Sequence, residues 1–117
     1  MEATIRETTN QEVKEITVQE LERWKATGHS FQLIDVREPF EHEIANLGGT
    51  LIPLGQVPER THEIDTHRDV IIYCRSGRRS AEAVSLLQRQ GMTGLYNLRG
   101  GIIAYATEID DRLNLSF

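Results

Sequence analysis

The residues with the clearest potential for chemistry are Cys74, the only cysteine of the chain, and the six residues that follow it. The apolar or β-forming residues 70–73 run directly into Cys74 and predict a buried strand. From Ala81 onward, apolar residues recur at helical spacing and predict a helix. The residues between these two elements are Arg75, Ser76, Gly77, Arg78, Arg79 and Ser80. They predict a tight cationic loop that leads into a helix N-terminus.

A loop of this kind gathers backbone N–H groups around an anion, and the helix dipole adds partial positive charge there. Positive surroundings favour the thiolate, which is the reactive form of cysteine. We therefore predict that Cys74 is a nucleophile and that residues 75–80 bind an anionic substrate, with Arg75 first and Arg79 second in meeting it. A lone cysteine after an apolar strand is more often a small buried hydrophobe. The three arginines favour the nucleophile, because they repel one another unless an anion is expected.

Asp35 and Arg37 lie at the end of another predicted strand, residues 31–36. Ligands of open α/β sheets bind at the carboxyl edge of the strands, so these residues lie in the functional half of the predicted sheet. We expect them to support the site through ion pairing and hydrogen bonds that hold neighbouring loops. Direct contact with the substrate is the alternative.

Near the N-terminus, Thr17 and Glu20 predict a capping box, and Gly28 predicts the end of the helix that it starts. Trp24 in this helix is predicted to anchor the core, which is the more common role than binding a substrate. Met1 to Glu15 is polar and predicts an arm or linker. We expect a domain over residues 16–112 and a short tail over residues 113–117.

Short strands alternate with short helices along the rest of the chain, which predicts an α/β fold with a mostly parallel sheet and helices on both faces. The other predicted elements are a helix from Pro39 to about residue 44, a strand over 50–54, a weakly helical stretch over 57–64, a strand over 94–98 and a last helix over 102–109. Gly100 and Gly101 have two interpretations. They form a simple turn, or they allow the backbone to approach the Cys74 loop closely.

The composition excludes several functional classes. With 13 basic and 18 acidic residues the net charge is −5, which argues against a general nucleic-acid surface. No apolar run is long enough to cross a membrane, and no signal peptide is evident. A single cysteine fits a reducing compartment, so the cytoplasm is the expected location. The four histidines share no metal-ligand spacing with Cys74, and neither a metal nor a cofactor is predicted.

Three motifs in the same order resemble a rhodanese domain: LIDVREPFEHEIANLGGTLIPL at residues 33–54, CRSGRRS at 74–80 and NLRGGIIAY at 97–105. The resemblance covers about residues 15–112. It is closest to the rhodanese domains fused to adenylyltransferases of the molybdopterin and thiamin sulfur pathways. It implies a three-layer α/β/α fold with a small central sheet. It also implies a sulfurtransferase that carries sulfane sulfur as a persulfide on Cys74, cradled by residues 75–80.

The resemblance implies partners as well. The donor would be thiosulfate or the persulfide of a cysteine desulfurase, and the acceptor a sulfur carrier protein or a small thiophile. The sequence contains neither an ATP-binding glycine loop nor the CxxC pair of an adenylyltransferase. It therefore fits both a free-standing protein and a domain taken from a larger fusion.

Two other functions are open. Cysteine-dependent phosphatases and arsenate reductases resemble this architecture, but they need an arginine six positions after the cysteine. Ser80 occupies that position here, and the nearest arginine is Arg79. Rhodanese-like domains that lack the cysteine act as docking modules, a function that the presence of Cys74 in a cationic loop argues against.

Overall fold

The fold is a parallel sheet with helices on both faces, and the residues of the predicted site lie in or directly after its strands. The computed structural model describes residues 12–115. Its strands are β1 (Glu15–Ile16), β2 (Phe31–Asp35), β3 (Thr50–Leu51), β4 (Asp69–Tyr73) and β5 (Leu95–Leu98). Its helices are α1 (Val18–Thr27), α2 (Pro39–Ile44), α3 (Arg78–Arg89) and α4 (Gly101–Glu108), and two 3₁₀ segments cover Leu54–Glu59 and Thr61–Glu63. Within the described residues the strand order is β1-β5-β4-β2-β3 and every pairing is parallel, which confirms the predicted α/β fold.

The alternation of side chains in β4 decides on which face the cysteine lies. Val70, Ile72 and Cys74 join one core cluster, which includes residues of α3. Ile71 and Tyr73 join the other cluster, which includes residues of α1 and α4. Because successive side chains of a strand point to opposite faces, the apolar run of β4 fills both halves of the core. It also delivers the sulfur of Cys74 to the face that α3 covers.

Helix α1 begins and ends as the sequence predicts. Thr17 is the N-cap, its hydroxyl accepts from the N–H of Glu20, and the Glu20 carboxylate accepts from the N–H of Thr17 at 2.8 Å. Gly28 ends the helix with a φ of 74°. Trp24 packs against Phe31 and Tyr96, which confirms the predicted core role.

The cationic loop after Cys74 is shorter than predicted. The sequence places the start of the helix at Ala81, but α3 begins at Arg78. Gly77, with a φ of 106°, turns the chain into the helix, and its carbonyl accepts from the N–H of Ala81 at 3.1 Å. Arg78, Arg79 and Ser80 therefore form the first turn of α3. Their polar side chains carry no helical pattern, so the apolar periodicity becomes visible only after them.

The strand predicted over residues 50–54 is also too long, because β3 ends at Leu51 and Pro53 precedes a 3₁₀ segment. Pro53 has no N–H to donate to a sheet. The weakly helical stretch predicted over residues 57–64 lies in the two 3₁₀ segments. A Pro within the first of them, Pro58, is compatible with a short 3₁₀ segment more readily than with an α-helix.

The predicted N-terminal arm ends earlier than residue 15. Glu15 and Ile16 form the edge strand β1, where the carbonyl of Lys14 accepts from Asn97 N–H and that of Ile16 accepts from Arg99 N–H, both at 2.9 Å. A strand of two residues is too short to produce a periodic pattern. Residues 1–11 of the arm and residues 116 and 117 of the tail lie outside the described part of the chain, and the domain limits 16–112 stay a prediction. No helix in residues 12–115 is long and apolar enough to cross a membrane.

Candidate active site

Cys74 lies at the carboxyl end of β4, in the middle of the sheet, and is 1% exposed. Its Sγ accepts hydrogen bonds from the N–H of Gly77 at 3.1 Å and from the N–H of Ser80 at 3.3 Å. The hydroxyl of Ser80 also lies 3.3 Å from Sγ. Because α3 begins beside the sulfur, its unpaired N-terminal N–H groups are available to a negative charge there. The geometry suits an anionic sulfur.

Helix α4 orients the first peptide groups of the loop. The N–H of Ile102 donates to the carbonyl of Cys74 at 3.0 Å, and the N–H of Ile103 donates to the carbonyl of Arg75 at 3.1 Å. In a trans peptide the N–H points away from the carbonyl. The N–H groups of Arg75 and Ser76 therefore point away from α4. The loop gains its orientation from a helix that lies later in the sequence.

Gly101 makes this approach possible. Its φ is 61°, and a Cβ at this position would lie 2.6 Å from the carbonyl carbon of Arg75. No real side chain is accommodated at such a distance from backbone atoms. Of the two interpretations of Gly100 and Gly101, close approach to the Cys74 loop is confirmed, and Gly100 also serves as the N-cap of α4.

Asn97 contacts the residues that surround Sγ, although no local sequence pattern marks it as a site residue. Its side chain is buried, its Oδ1 accepts from the Ser80 hydroxyl, and its Nδ2 donates to the carbonyl of Gly77 at 3.1 Å. The signal that would have found Asn97 is the alternation of side chains between the two faces of the sheet, followed from β4 to its neighbour β5. Asn97 pairs with Ile72, which lies two residues before Cys74 and on the same face.

Arg79 is held by an acidic partner. Its guanidinium donates to both carboxylate oxygens of Glu41, at 2.7 and 2.9 Å. Glu41 is 5% exposed, and the hydrogen bonds from Arg79 keep the pKa of this carboxyl below its usual value. The contact joins α2 to the first turn of α3. Glu41 was missed because 38 residues separate it from Arg79 and no short pattern links them.

The other predicted binding residues differ in their exposure. Ser76 and Arg78 are exposed, whereas Arg75 and Gly77 are half-buried. Of residues 75–80, the structure places Gly77 and Ser80 against Sγ of Cys74. Arg79, predicted as the second arginine to meet an anion, is instead the one in the ion pair with Glu41.

Asp35 and Arg37 form a buried ion pair next to the site. The Nε of Arg37 lies 2.9 Å from one oxygen of Asp35 and its Nη2 lies 2.8 Å from the other, and both side chains are fully buried. His42 bonds the same carboxylate at 2.8 Å, and Arg37 also donates to the carbonyl of Ala45 at 2.7 Å. Burial opposes ionisation of Asp35, but the hydrogen bonds from Arg37 and His42 outweigh it and lower its pKa. The cluster connects the end of β2 to His42 in α2 and to Ala45, the C-cap of that helix.

Within the described residues, no three His, Cys, Asp or Glu side chains are grouped so that they share a metal ion. The histidines have other contacts. His42 lies on Asp35, and His29 bonds Asp69 at 2.8 Å while its ring stacks on Trp24 with the centroids 4.0 Å apart.

Comparison with known proteins assigns the chain to a family. The family model of the rhodanese-like domain matches residues 17–108, which is most of the chain. The chain belongs to the rhodanese-like domain family. A sulfurtransferase of Allochromatium vinosum is 42% identical to this rhodanese-like domain over 95 residues, covering 80% of the chain and 89% of the relative. The predicted family is therefore confirmed.

Two further comparisons define the fold and its context. The crystal structure of a rhodanese-like domain protein from Staphylococcus aureus has a TM-score of 0.76 and 27% identity, covering 90% of this chain and all of that one. The probable adenylyltransferase/sulfurtransferase MoeZ of Mycobacterium tuberculosis is 36% identical over 97 residues, which are 80% of this chain and 25% of MoeZ. This rhodanese-like domain is thus similar to a self-contained domain and to one part of a larger protein.

Proposed function

We propose that this rhodanese-like domain is a sulfurtransferase that carries sulfane sulfur as a persulfide on Cys74. The observation that carries the proposal is the convergence of the N–H groups of Gly77 and Ser80 on Sγ, at the carboxyl edge of the sheet. The sulfurtransferase relative from Allochromatium vinosum supports the same reaction class.

The first half of the proposed reaction loads the cysteine. The Cys74 thiolate attacks the outer sulfur of thiosulfate and forms an S–S bond, while the bond from that sulfur to the sulfonate group breaks and sulfite leaves with the bonding electron pair. The products are a Cys74 persulfide anion and sulfite, so the charge balances. Charge-assisted hydrogen bonds of the kind made to Sγ are worth roughly 1.5–3 kcal/mol each.

The second half of the proposed reaction transfers the outer sulfur from Cys74 to an acceptor. A nucleophilic acceptor attacks the outer sulfur of the persulfide, the S–S bond breaks, and the electron pair returns to Sγ as a thiolate. The loop then holds the regenerated anion through the N–H groups of Gly77 and Ser80. Because the chain has one cysteine, the acceptor must come from outside it.

The donor in this proposal is thiosulfate or the persulfide of a cysteine desulfurase. We assign the recognition of an anionic donor to Arg75, because it directly follows Cys74. Arg78 is the second choice because it is exposed, whereas the charge of Arg79 is paired with Glu41.

The acceptor in this proposal is a sulfur carrier protein or a small thiophile. The similarity to one quarter of MoeZ, an adenylyltransferase/sulfurtransferase by name, supports sulfur delivery in molybdopterin-type biosynthesis as the setting. A reducing cytoplasm suits a chemistry that depends on a free thiolate.

The ion pair between Arg79 and Glu41 argues against the phosphatase alternative. A phosphatase needs a guanidinium that closes over the phosphate, and the nearest candidate donates to Glu41 through both of its terminal nitrogens. The presence of Cys74 within hydrogen-bond donors likewise favours catalysis over docking alone.

The mass of the intact protein after incubation with thiosulfate tests the proposal. We expect a gain of one sulfur atom, its loss on addition of cyanide with release of thiocyanate, and neither change in Cys74→Ser. If thiosulfate loads nothing, a protein persulfide is the second donor to try. Failure of both donors on a folded protein would reject the sulfurtransferase proposal.

A further inference from the structure

Asn97 has contacts that a strand residue in an apolar core does not need. It lies in β5 and is 2% exposed, between Leu95 and Leu98, which are core residues. A buried carboxamide is costly unless its donor and acceptor both find partners. Here the Nδ2 bonds the carbonyl of Gly77 and the Oδ1 bonds the hydroxyl of Ser80.

Both partners of Asn97 are the residues that hold the sulfur. The N–H of Gly77 and the N–H of Ser80 donate to Sγ of Cys74, at 3.1 and 3.3 Å. Each of these residues is thus bonded to Cys74 through its N–H and to Asn97 through another group. The side chain of Asn97 therefore links the two residues whose N–H groups donate to Sγ.

We propose that Asn97 is a positioning residue for sulfur transfer, which fixes the N–H groups of Gly77 and Ser80 around Sγ. The inference rests on the proposed sulfurtransferase function and assigns this residue a part in it. Asn97 acts through Gly77 and Ser80 and touches neither donor nor acceptor in this assignment.

The need for positioning is greatest at Gly77. With a φ of 106° it occupies a conformation that glycine reaches readily, and its carbonyl accepts from Ala81 N–H within α3 as well as from Asn97. The bond from Nδ2 restrains its carbonyl, which fixes the direction of the turn between Cys74 and α3. Because a carbonyl needs a donor, this contact also sets the orientation of the carboxamide and turns its oxygen toward Ser80.

The step that depends most on these donors is the release of sulfur. With cyanide as the acceptor, Cys74–S–S⁻ and CN⁻ give Cys74–S⁻ and SCN⁻. The S–S bond breaks, its electron pair moves to Sγ, and cyanide bonds the outer sulfur. Negative charge therefore develops on Sγ, where preorganised N–H groups stabilise it without reorganisation.

A matched pair of variants separates positioning from stability. Asn97→Ala removes the link, whereas Gln32→Ala removes a carboxamide with similar contacts elsewhere. The Nε2 of Gln32 donates to the carbonyl of Glu63 at 2.8 Å, and its Oε1 accepts from the N–H of Asp65 at 2.7 Å. Gln32 pairs with Val70, four residues before Cys74, at the opposite end of the strands.

The experiment measures thiocyanate release in a single turnover from protein loaded beforehand, with loading verified by intact mass. We expect Asn97→Ala to release sulfur about tenfold more slowly than the wild type, the effect of weakening one charge-assisted hydrogen bond. Gln32→Ala is expected to release at the wild-type rate although its melting temperature also falls. A folded Asn97→Ala that does not load, when Gln32→Ala does, also supports the inference.

Two results would overturn the positioning role, and they differ in whether the sulfurtransferase proposal survives. If the wild type takes sulfur and Asn97→Ala releases it at the wild-type rate, the positioning role is wrong and the sulfurtransferase proposal stands. If the wild type takes sulfur from neither thiosulfate nor a protein persulfide, both proposals fail.

A measurement on the unmutated protein covers the case in which Asn97→Ala does not fold. The side-chain amide signals of Asn97 in a ¹⁵N NMR spectrum are expected to shift when Cys74 becomes a persulfide, because Gly77 and Ser80 connect the two residues. Those of Gln32 are expected to stay in place. Unchanged Asn97 signals on a loaded protein would contradict the positioning role.

Discussion

The sulfur of Cys74 is almost fully buried, yet polar donors surround it. Its strand neighbours Ile72 and Val70 lie in the apolar core, while the N–H groups of Gly77 and Ser80 face Sγ. A cysteine at the end of a strand allows two descriptions, a small buried side chain and a sulfur among hydrogen-bond donors, and the structure combines them. The burial comes from β4 and the polarity from the turn into α3.

Arg75 is expected to recognise the charge of the donor. In Arg75→Ala, kcat/KM for thiosulfate is expected to fall about tenfold, the equivalent of one charge-assisted contact, whereas kcat/KM for an uncharged sulfur donor is expected to change less than about twofold. Steady-state kinetics with both donors measure this. Arg112→Ala is the control for net charge, because Arg112 is 86% exposed and pairs only with Asp110 in the described structure. An equal loss with the two donors would show that Arg75 shapes the loop instead of reading charge.

The residues of the site differ in whether a short stretch of sequence is enough to identify them. Cys74, Arg75 and Gly77 are visible in the sequence because they are adjacent and follow a clear strand. Asn97 and Glu41 are not visible, because their partners lie 17 to 38 residues away. Contacts of that kind depend on strand register and on how α2 packs, which no local pattern contains.

At the scale of elements, the ion pair of Glu41 with Arg79 connects α2 to α3. The pKa of Glu41 is lowered by Arg79, so this pair contributes its full stability above about pH 4.5, the ordinary value, and loses it as the pH falls toward the lowered pKa. Arg79 is 35% exposed, so we expect a modest contribution of about 1–2 kcal/mol.

The test of this contribution compares thermal melts of the wild type and Glu41→Gln from pH 7 to pH 3. At pH 7 the variant is expected to melt about 4–8 °C lower. The difference should narrow as the pH falls below about 4.5, where Glu41 of the unfolded chain takes up a proton, and it should vanish once the pH has passed the lowered pKa of the folded protein. A difference that stays constant over this range would assign the stability to packing of Glu41 instead of its charge.

The start of α4 is the second connection between elements. In Gly101→Ala, the new methyl group would meet the backbone of Cys74 and Arg75, so either the loop or the helix must move. We expect a loss of about 2 kcal/mol or more and at least a tenfold slower sulfur transfer per folded molecule.

The control for this change is Gly28→Ala, measured by the same melts and transfer rates. Gly28 has a similar φ of 74° but no atom within 4 Å of an added Cβ. It is expected to lose stability through backbone strain and to keep its transfer rate. Equal rates in the two variants would mean that the contact with the loop is irrelevant to the reaction.

Helices and strands with strong local signals were predicted well, and their boundaries less well. The capping box of α1 and the apolar run of β4 contain their own start signals. The start of α3 does not, because Arg78, Arg79 and Ser80 have no apolar spacing and only the φ of Gly77 fixes the turn. The short strand β1 exists only because β5 offers it a partner.

For the whole molecule, β1 closes one edge of the sheet next to the strand that carries Asn97. Ile16 is 3% exposed, and burial of such a side chain contributes roughly 1.5–3 kcal/mol. A truncation that removes residues 1–16 is therefore expected to melt about 6–12 °C below one that removes residues 1–11 and keeps β1.

Calorimetry on the two truncations measures this difference. Similar melting temperatures would show that β1 adds little stability and that the stable domain begins after residue 16. The larger loss would place β1 within the folding unit.

The contacts between α4 and the Cys74 loop also bear on protein engineering. Transplanting the heptapeptide CRSGRRS onto another strand–helix junction would transfer the cysteine and the three arginines. It would not transfer the hydrogen bonds that the N–H groups of Ile102 and Ile103 donate to the carbonyls of the loop. Those contacts require a glycine at the start of a helix that arrives from elsewhere in the chain. The minimal portable unit is therefore a discontinuous one: β4 with its loop and the start of α3, together with β5 and the first turn of α4.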